Sequence, residues 1–221
     1  MKPDLLMLGD SHTIALEDGA KRLGLAVEVL RFGGGGWHEG KFGWGPDGLV
    51  PKGSPMGRHS LEQLREKLGV QNIFSLGLPI VTTIGFHLAL MVRPMGWFGH
   101  QMMPETGEAP TTGLLMSSAF VSDYIDHYRA AHLRVLRRLS RETKVIVVPP
   151  PVLSADAQIT AVRSLIIGKM RALGLEVFDP MAELLPEEPV LPARFLGDDP
   201  NHATADYGEM VISALRTVGK I

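Results

Sequence analysis

Short apolar runs alternate with longer amphipathic stretches along this chain, and that rhythm limits its fold more than any other feature. Leu5 to Leu8, Leu25 to Phe32, Ile80 to Phe86 and Val145 to Val148 are rich in Val, Ile, Leu or Phe and end at Gly, His or Pro, as strands buried in a parallel sheet do. A weaker fifth run covers Leu175 to Phe178. Between them Thr13 to Leu23, Leu61 to Leu68, Phe120 to Arg141 and Ala155 to Leu173 carry apolar residues at three- and four-residue spacing, and Ala203 to Val218 follows the same pattern. The β-α-β-α order predicts an α/β protein, a three-layer α/β/α sandwich with a central parallel sheet. In such sheets functional groups gather beyond the carboxyl ends of the strands.

The 221 residues suit a single domain over 1–221. Two segments break the rhythm and are expected as loop insertions, at about 33–60 and 88–118. The first opens on Gly33-Gly34-Gly35-Gly36 and holds Trp37 and Trp44; the second holds Met91, Met95, Trp97, Met102 and Met103. One reading makes them variable surface loops. The other makes their Met and Trp side chains the apolar wall of a substrate pocket.

Charge and composition remove several functional classes. The formal net charge is −2 with 22 Lys+Arg spread along the chain, which leaves no footprint for a nucleic acid backbone. With no cysteine, disulfides, thiolate nucleophiles and Cys-ligated metals are excluded. The run Leu5 to Leu8 is too short for a signal-peptide core, and no apolar run reaches membrane-spanning length. These observations predict a cytoplasmic protein with no membrane partner.

The first strand runs directly into Gly9-Asp10-Ser11-His12. A serine at this edge, just before a helix, projects its hydroxyl from the sheet, and its own N–H lies near a helix N-terminus where an oxyanion is favoured. The competing reading of Ser11 is a helix N-cap. Near the far end, Asp199 and His202 stand three residues apart in Gly197-Asp198-Asp199-Pro200-Asn201-His202, just before the last helical stretch. There a carboxylate can accept the imidazole Nδ1–H and leave Nε2 to take a serine proton. The competing reading of that pair is a helix cap.

Taken together, Gly9-Asp10-Ser11 and the Asp-x-x-His of Asp199 to His202 resemble the outer motifs of the SGNH/GDSL hydrolase superfamily, and the strand–helix rhythm extends the resemblance over nearly the whole chain. The resemblance implies a flavodoxin-like fold with Ser11 as nucleophile, His202 as general base, Asp199 orienting the imidazole, and no cofactor or metal. Its second motif supplies an oxyanion-hole glycine after the second strand, for which Gly35 or Gly36 is the match. Its third motif is normally Gly-x-Asn-Asp, but here Gly85-Phe86-His87-Leu88 places His87 where the Asn would stand. A neutral His can donate to an oxyanion, so His87 is the expected replacement; the competing reading is a strand-end histidine in the core.

Asp10, His12 and Trp37 are expected at the substrate, His12 at the pocket rim, with an Asp10–His12 structural pair as the alternative. The remaining histidines show no metal-ligand spacing, since His127 and His132 are off the i, i+4 register of one helical face. The function expected is hydrolysis of a small-molecule or carbohydrate ester through an acyl-enzyme. Interception of that intermediate by an alcohol would make the chain an O-acyltransferase, and an impaired oxyanion hole would make it a binding module. A nucleotide binder is disfavoured, because four glycines without a following Lys-Ser/Thr are not a phosphate loop.

Overall fold

The computed structural model describes residues 2–33, 38–88, 101–102 and 115–221. Strand β1 (Leu5–Gly9) leads into helix α1 (Thr13–Arg22), and β2 (Val27–Arg31) precedes a hairpin of β3 (Phe42–Gly45) and β4 (Gly48–Pro51). Helix α2 (Pro55–Leu68) and β5 (Ile80–Thr82) follow, then the two-residue strands β6 (Gln101–Met102) and β7 (Leu115–Met116). The long α3 (Ser118–Glu142), β8 (Val145–Val147), α4 (Ala157–Ala172), β9 (Glu176–Val177), α5 (Pro180–Leu184) and α6 (Ala205–Thr217) complete the order.

Strands β2-β1-β5-β8-β9 form one sheet in that order, parallel at every pairing. Alternation along a strand sends neighbouring residues to opposite faces, and here both faces are covered. Leu6, Leu8, Ile80 and Val147 join Leu61 of α2, Leu136 of α3 and Ile166 of α4 in one buried cluster. Leu5, Met7, Val81 and Ile146 join Leu16 of α1 and Val211 of α6 in another. The sandwich expected from the alternation is therefore the fold found, and the double coverage explains why its strands read as unbroken apolar runs. Among the described residues no helix is long and apolar enough to cross a membrane.

Three local expectations are corrected. The third strand ends at Thr82 rather than Phe86, because the Ile84 N–H donates to Thr82 Oγ1 at 3.2 Å and Gly85 turns the chain at φ +100°, a conformation glycine adopts without strain. The segment 33–60 is not all loop. Its hairpin pairs Trp44 with Leu49, and α2 starts at Pro55 rather than Leu61, with the Ser54 hydroxyl accepting the Gly57 N–H at 3.0 Å. Trp44 lies against Phe74 at 5.5 Å between ring centres, with the Arg138 guanidinium 5.8 Å from its ring, so it belongs to the packing under α3. Trp37, Met91, Met95, Trp97 and Met103 lie outside the described residues.

Candidate active site

Ser11 stands two residues beyond the end of β1, where close packing fixes the chain's path. A Cβ on Gly9 would lie 2.2 Å from Thr83 Oγ1, so only glycine lets β1 pass the end of β5 at that point. Asp10 is 6% exposed; its Oδ1 accepts the His12 N–H at 3.0 Å and the Thr83 hydroxyl at 3.2 Å. This carboxylate bridges β1, β5 and α1 from within. The N-cap position of α1 is His12, with no side-chain capping bond, so Ser11 does not cap the helix.

Asp199 and His202 occupy a tight loop closed by an antiparallel bridge between Leu196 and Ala203. The N-cap of α6 is Thr204, so this pair is not a helix cap either. His202 Nδ1 lies 2.5 Å from Asp199 Oδ2, and His202 Nε2 lies 2.7 Å from Ser11 Oγ. An ionised carboxylate only accepts, which assigns the ring proton to Nδ1 and leaves Nε2 to accept the serine hydroxyl. Asp199 is held below the usual carboxylate range first by the Asn201 backbone N–H, then by His202 and the Asn201 side chain.

Two further histidines stand close by. The rings of His38 and His87 stack with centres 3.6 Å apart and planes tilted by 20°. Nothing in the sequence singles out His38, since a histidine after a glycine run carries no periodic signal. Burial pushes His38 down to about 4, with further lowering from His87. Burial also lowers His87, with Asp10 opposing and Arg129 adding to the shift. Behind the pair lies Arg129 of α3, 2% exposed. Its Nη1 donates to the His38 carbonyl and its Nη2 to the His87 carbonyl, each at 3.2 Å. Burial lowers Arg129 to about 10, which leaves it charged at neutral pH.

His12 stands beside His202. Its ring centre is 5.4 Å from that of His202, and burial holds it below its ordinary value, against the pull of Asp10. Gly35, Gly36 and Trp37 fall outside the described residues.

Asp10, His38 and His87 each offer a ligand atom within 4.8 Å of the others. Their present arrangement does not suit a cation. An ion bound by two imidazoles lies near both ring planes at about 2.1 Å from each nitrogen, and planes tilted by 20° at this stacking distance do not meet within that reach. One ring would have to leave the stack. Beside this group, Ser11, the His202 imidazole and the Asp199 carboxylate stand in line, a set suited to nucleophilic acyl transfer.

No protein-family model matches the chain and no curated protein sequence does. Among solved structures, Axe2, an acetylxylan esterase from Geobacillus stearothermophilus, superposes with a TM-score of 0.50 at 12% identity, over 98% of this chain and 94% of that one. A GDSL-like lipase from Bacteroides thetaiotaomicron aligns with a TM-score of 0.49 at 13% identity, over 98% of this chain and 86% of that one. The chain has a three-layer α/β/α fold, shared with Axe2. It is the architecture expected from Gly9-Asp10-Ser11 and the Asp199 to His202 motif.

Proposed function

We propose that the chain is a serine hydrolase of the SGNH kind that cleaves a carboxylic ester, with Ser11, His202 and Asp199 as its triad. The observation that carries this reading is the line of contacts from Asp199 Oδ2 through His202 to Ser11 Oγ, at 2.5 and 2.7 Å. His202 Nε2 takes the Ser11 proton as Oγ attacks the acyl carbon, and Asp199 stabilises the imidazolium that forms. The Ser11 N–H, a glycine N–H of Gly35 or Gly36 and a ring N–H of His87 hold the oxyanion. Each such donor is typically worth about 3–4 kcal/mol of transition-state stabilisation. His202 then returns the proton to the leaving alcohol, and water attacking the acyl-enzyme by the same route frees the acid.

The likeness to Axe2 supports an acetyl ester, with a carbohydrate as the alcohol. Two variants of that esterase, a serine-to-alanine and a histidine-to-alanine replacement, are described as catalytic mutants, in keeping with a nucleophilic Ser11 and a general base at His202.

The test is intact-protein mass spectrometry after incubation with a small fluorophosphonate, followed by p-nitrophenyl esters of increasing chain length and acetylated xylooligosaccharides. The unsubstituted chain forms one adduct and turns over acetyl esters fastest. Ser11→Ala forms none and loses turnover by about 10⁴-fold or more, with its thermal midpoint nearly unchanged. Substantial hydrolysis by Ser11→Ala removes the serine from its role, and a folded chain that neither labels nor hydrolyses is a binding module.

A further inference from the structure

We propose that Arg129 is a positioning residue for this site: its guanidinium, bonded to the main-chain carbonyls of both His38 and His87, holds the two rings face to face and aims a ring N–H of His87 at the oxyanion. The inference rests on the hydrolase reading above and adds to it a residue from outside every SGNH motif.

Three observations converge on it. Arg129 is buried, yet among the described residues no carboxylate pairs with it and its Nε has no hydrogen-bond partner. A buried charge left without a counterion is costly, so what Arg129 holds must offset that cost. Second, its two terminal nitrogens go to carbonyls on segments distant in sequence, one after β2 and one after β5, each at 3.2 Å. A planar fork can join two acceptors at fixed separation, which the single point of a lysine ammonium cannot. Third, the residues whose carbonyls it joins are the two whose rings stack at 3.6 Å, so fixing the carbonyls fixes the stack.

The charge has a second effect on the same pair. His38 faces His87, Asp10, Arg129 and His12; His87 faces Asp10 and Arg129 besides the stacked His38. Among the described residues only Asp10 favours a proton on either ring. Burial and the guanidinium disfavour it, and a ring of lowered basicity keeps one N–H to donate while being a poor base for the serine proton. The pair donates while His202 exchanges protons.

The experiment compares the unsubstituted protein, Arg129→Lys and Arg129→Met by steady-state kinetics on an acetyl ester, by histidine ring NMR titration and by thermal midpoint. Arg129→Lys keeps the charge and loses the fork, so kcat falls about tenfold or more with KM little changed, while His38 and His87 titrate close to their original positions. Arg129→Met loses both, so kcat falls similarly and the two rings titrate at higher pH. An unchanged kcat in Arg129→Lys overturns the proposal, as do unmoved ring titrations in folded Arg129→Met. If Arg129→Met does not fold, kcat of Arg129→Lys alone decides. Were the unsubstituted chain to hydrolyse no ester, the hydrolase reading would fall by itself, and the ring titrations would still show whether Arg129 governs the pair.

Discussion

Asp199 is more than half exposed, yet two bonds from Asn201 and one from His202 hold its charge and direction. In Asp199→Asn the amide can present an N–H to the ring and favour the wrong tautomer, so kcat should drop by about 10³-fold or more with the fold intact; a loss below tenfold would make Asp199 incidental. His38 couples the site to stability instead. Its folded pKa of about 4 lies under the ordinary 6.5, so between those values the unfolded chain binds a proton that the folded chain does not. Stability should therefore fall as pH is lowered from about 6.5 toward 4, with His12 and His87 acting in the same direction. Thermal midpoints at pH 7 and pH 5 check this, and the gap between them should narrow in His38→Asn. Ser11, Asp199 and His202 can be picked out in the sequence because each half of the set lies in a short local motif at an element boundary. Arg129 cannot, because an arginine among the charges of a long helix reads as a solvated face, and its burial depends on carbonyls brought in from two distant segments.

Helices α1 and α6 start just beyond Ser11 and His202 respectively, and they cross backbone to backbone. A Cβ on Gly208 would lie 1.7 Å from the Ala15 carbonyl oxygen, and one on Gly19 would lie 2.1 Å from the Glu209 nitrogen. This crossing brings the loop of His202 to the loop of Ser11. Gly208→Ala should prise the helices apart at a cost of about 1–3 kcal/mol, lower the thermal midpoint by several degrees, at about 2–4 °C per kcal/mol for a chain of this size, and reduce kcat. An unchanged midpoint would mean that the helices can separate without loss and that their close approach is not what joins the two loops. Neither glycine announces this in the sequence, where a helical glycine reads only as a weak point. The same limit hides the hairpin of β3 and β4 and the first turns of α2, since Gly and Pro dominate 43–57 and mask the periodicity. The sheet strands are readable because burial on both faces leaves continuous apolar runs.

At the scale of the molecule, the parallel sheet assembles from contacts between segments far apart in the chain, and the site lies across the most distant of them. Refolding from denaturant should therefore restore far-UV circular dichroism before the proposed esterase activity, because helices form locally while the crossing of α1 and α6 waits for sheet closure. Simultaneous recovery at every time point would place that crossing in the earliest step. The 191-residue separation of Ser11 and His202 also orders events during synthesis. A ribosome adding about 5–20 residues per second leaves an interval on the order of tens of seconds between Ser11 and His202. Throughout that interval the nascent chain carries Ser11 without His202, so under the proposed mechanism its hydroxyl is an ordinary alcohol until the segment of His202 has been made.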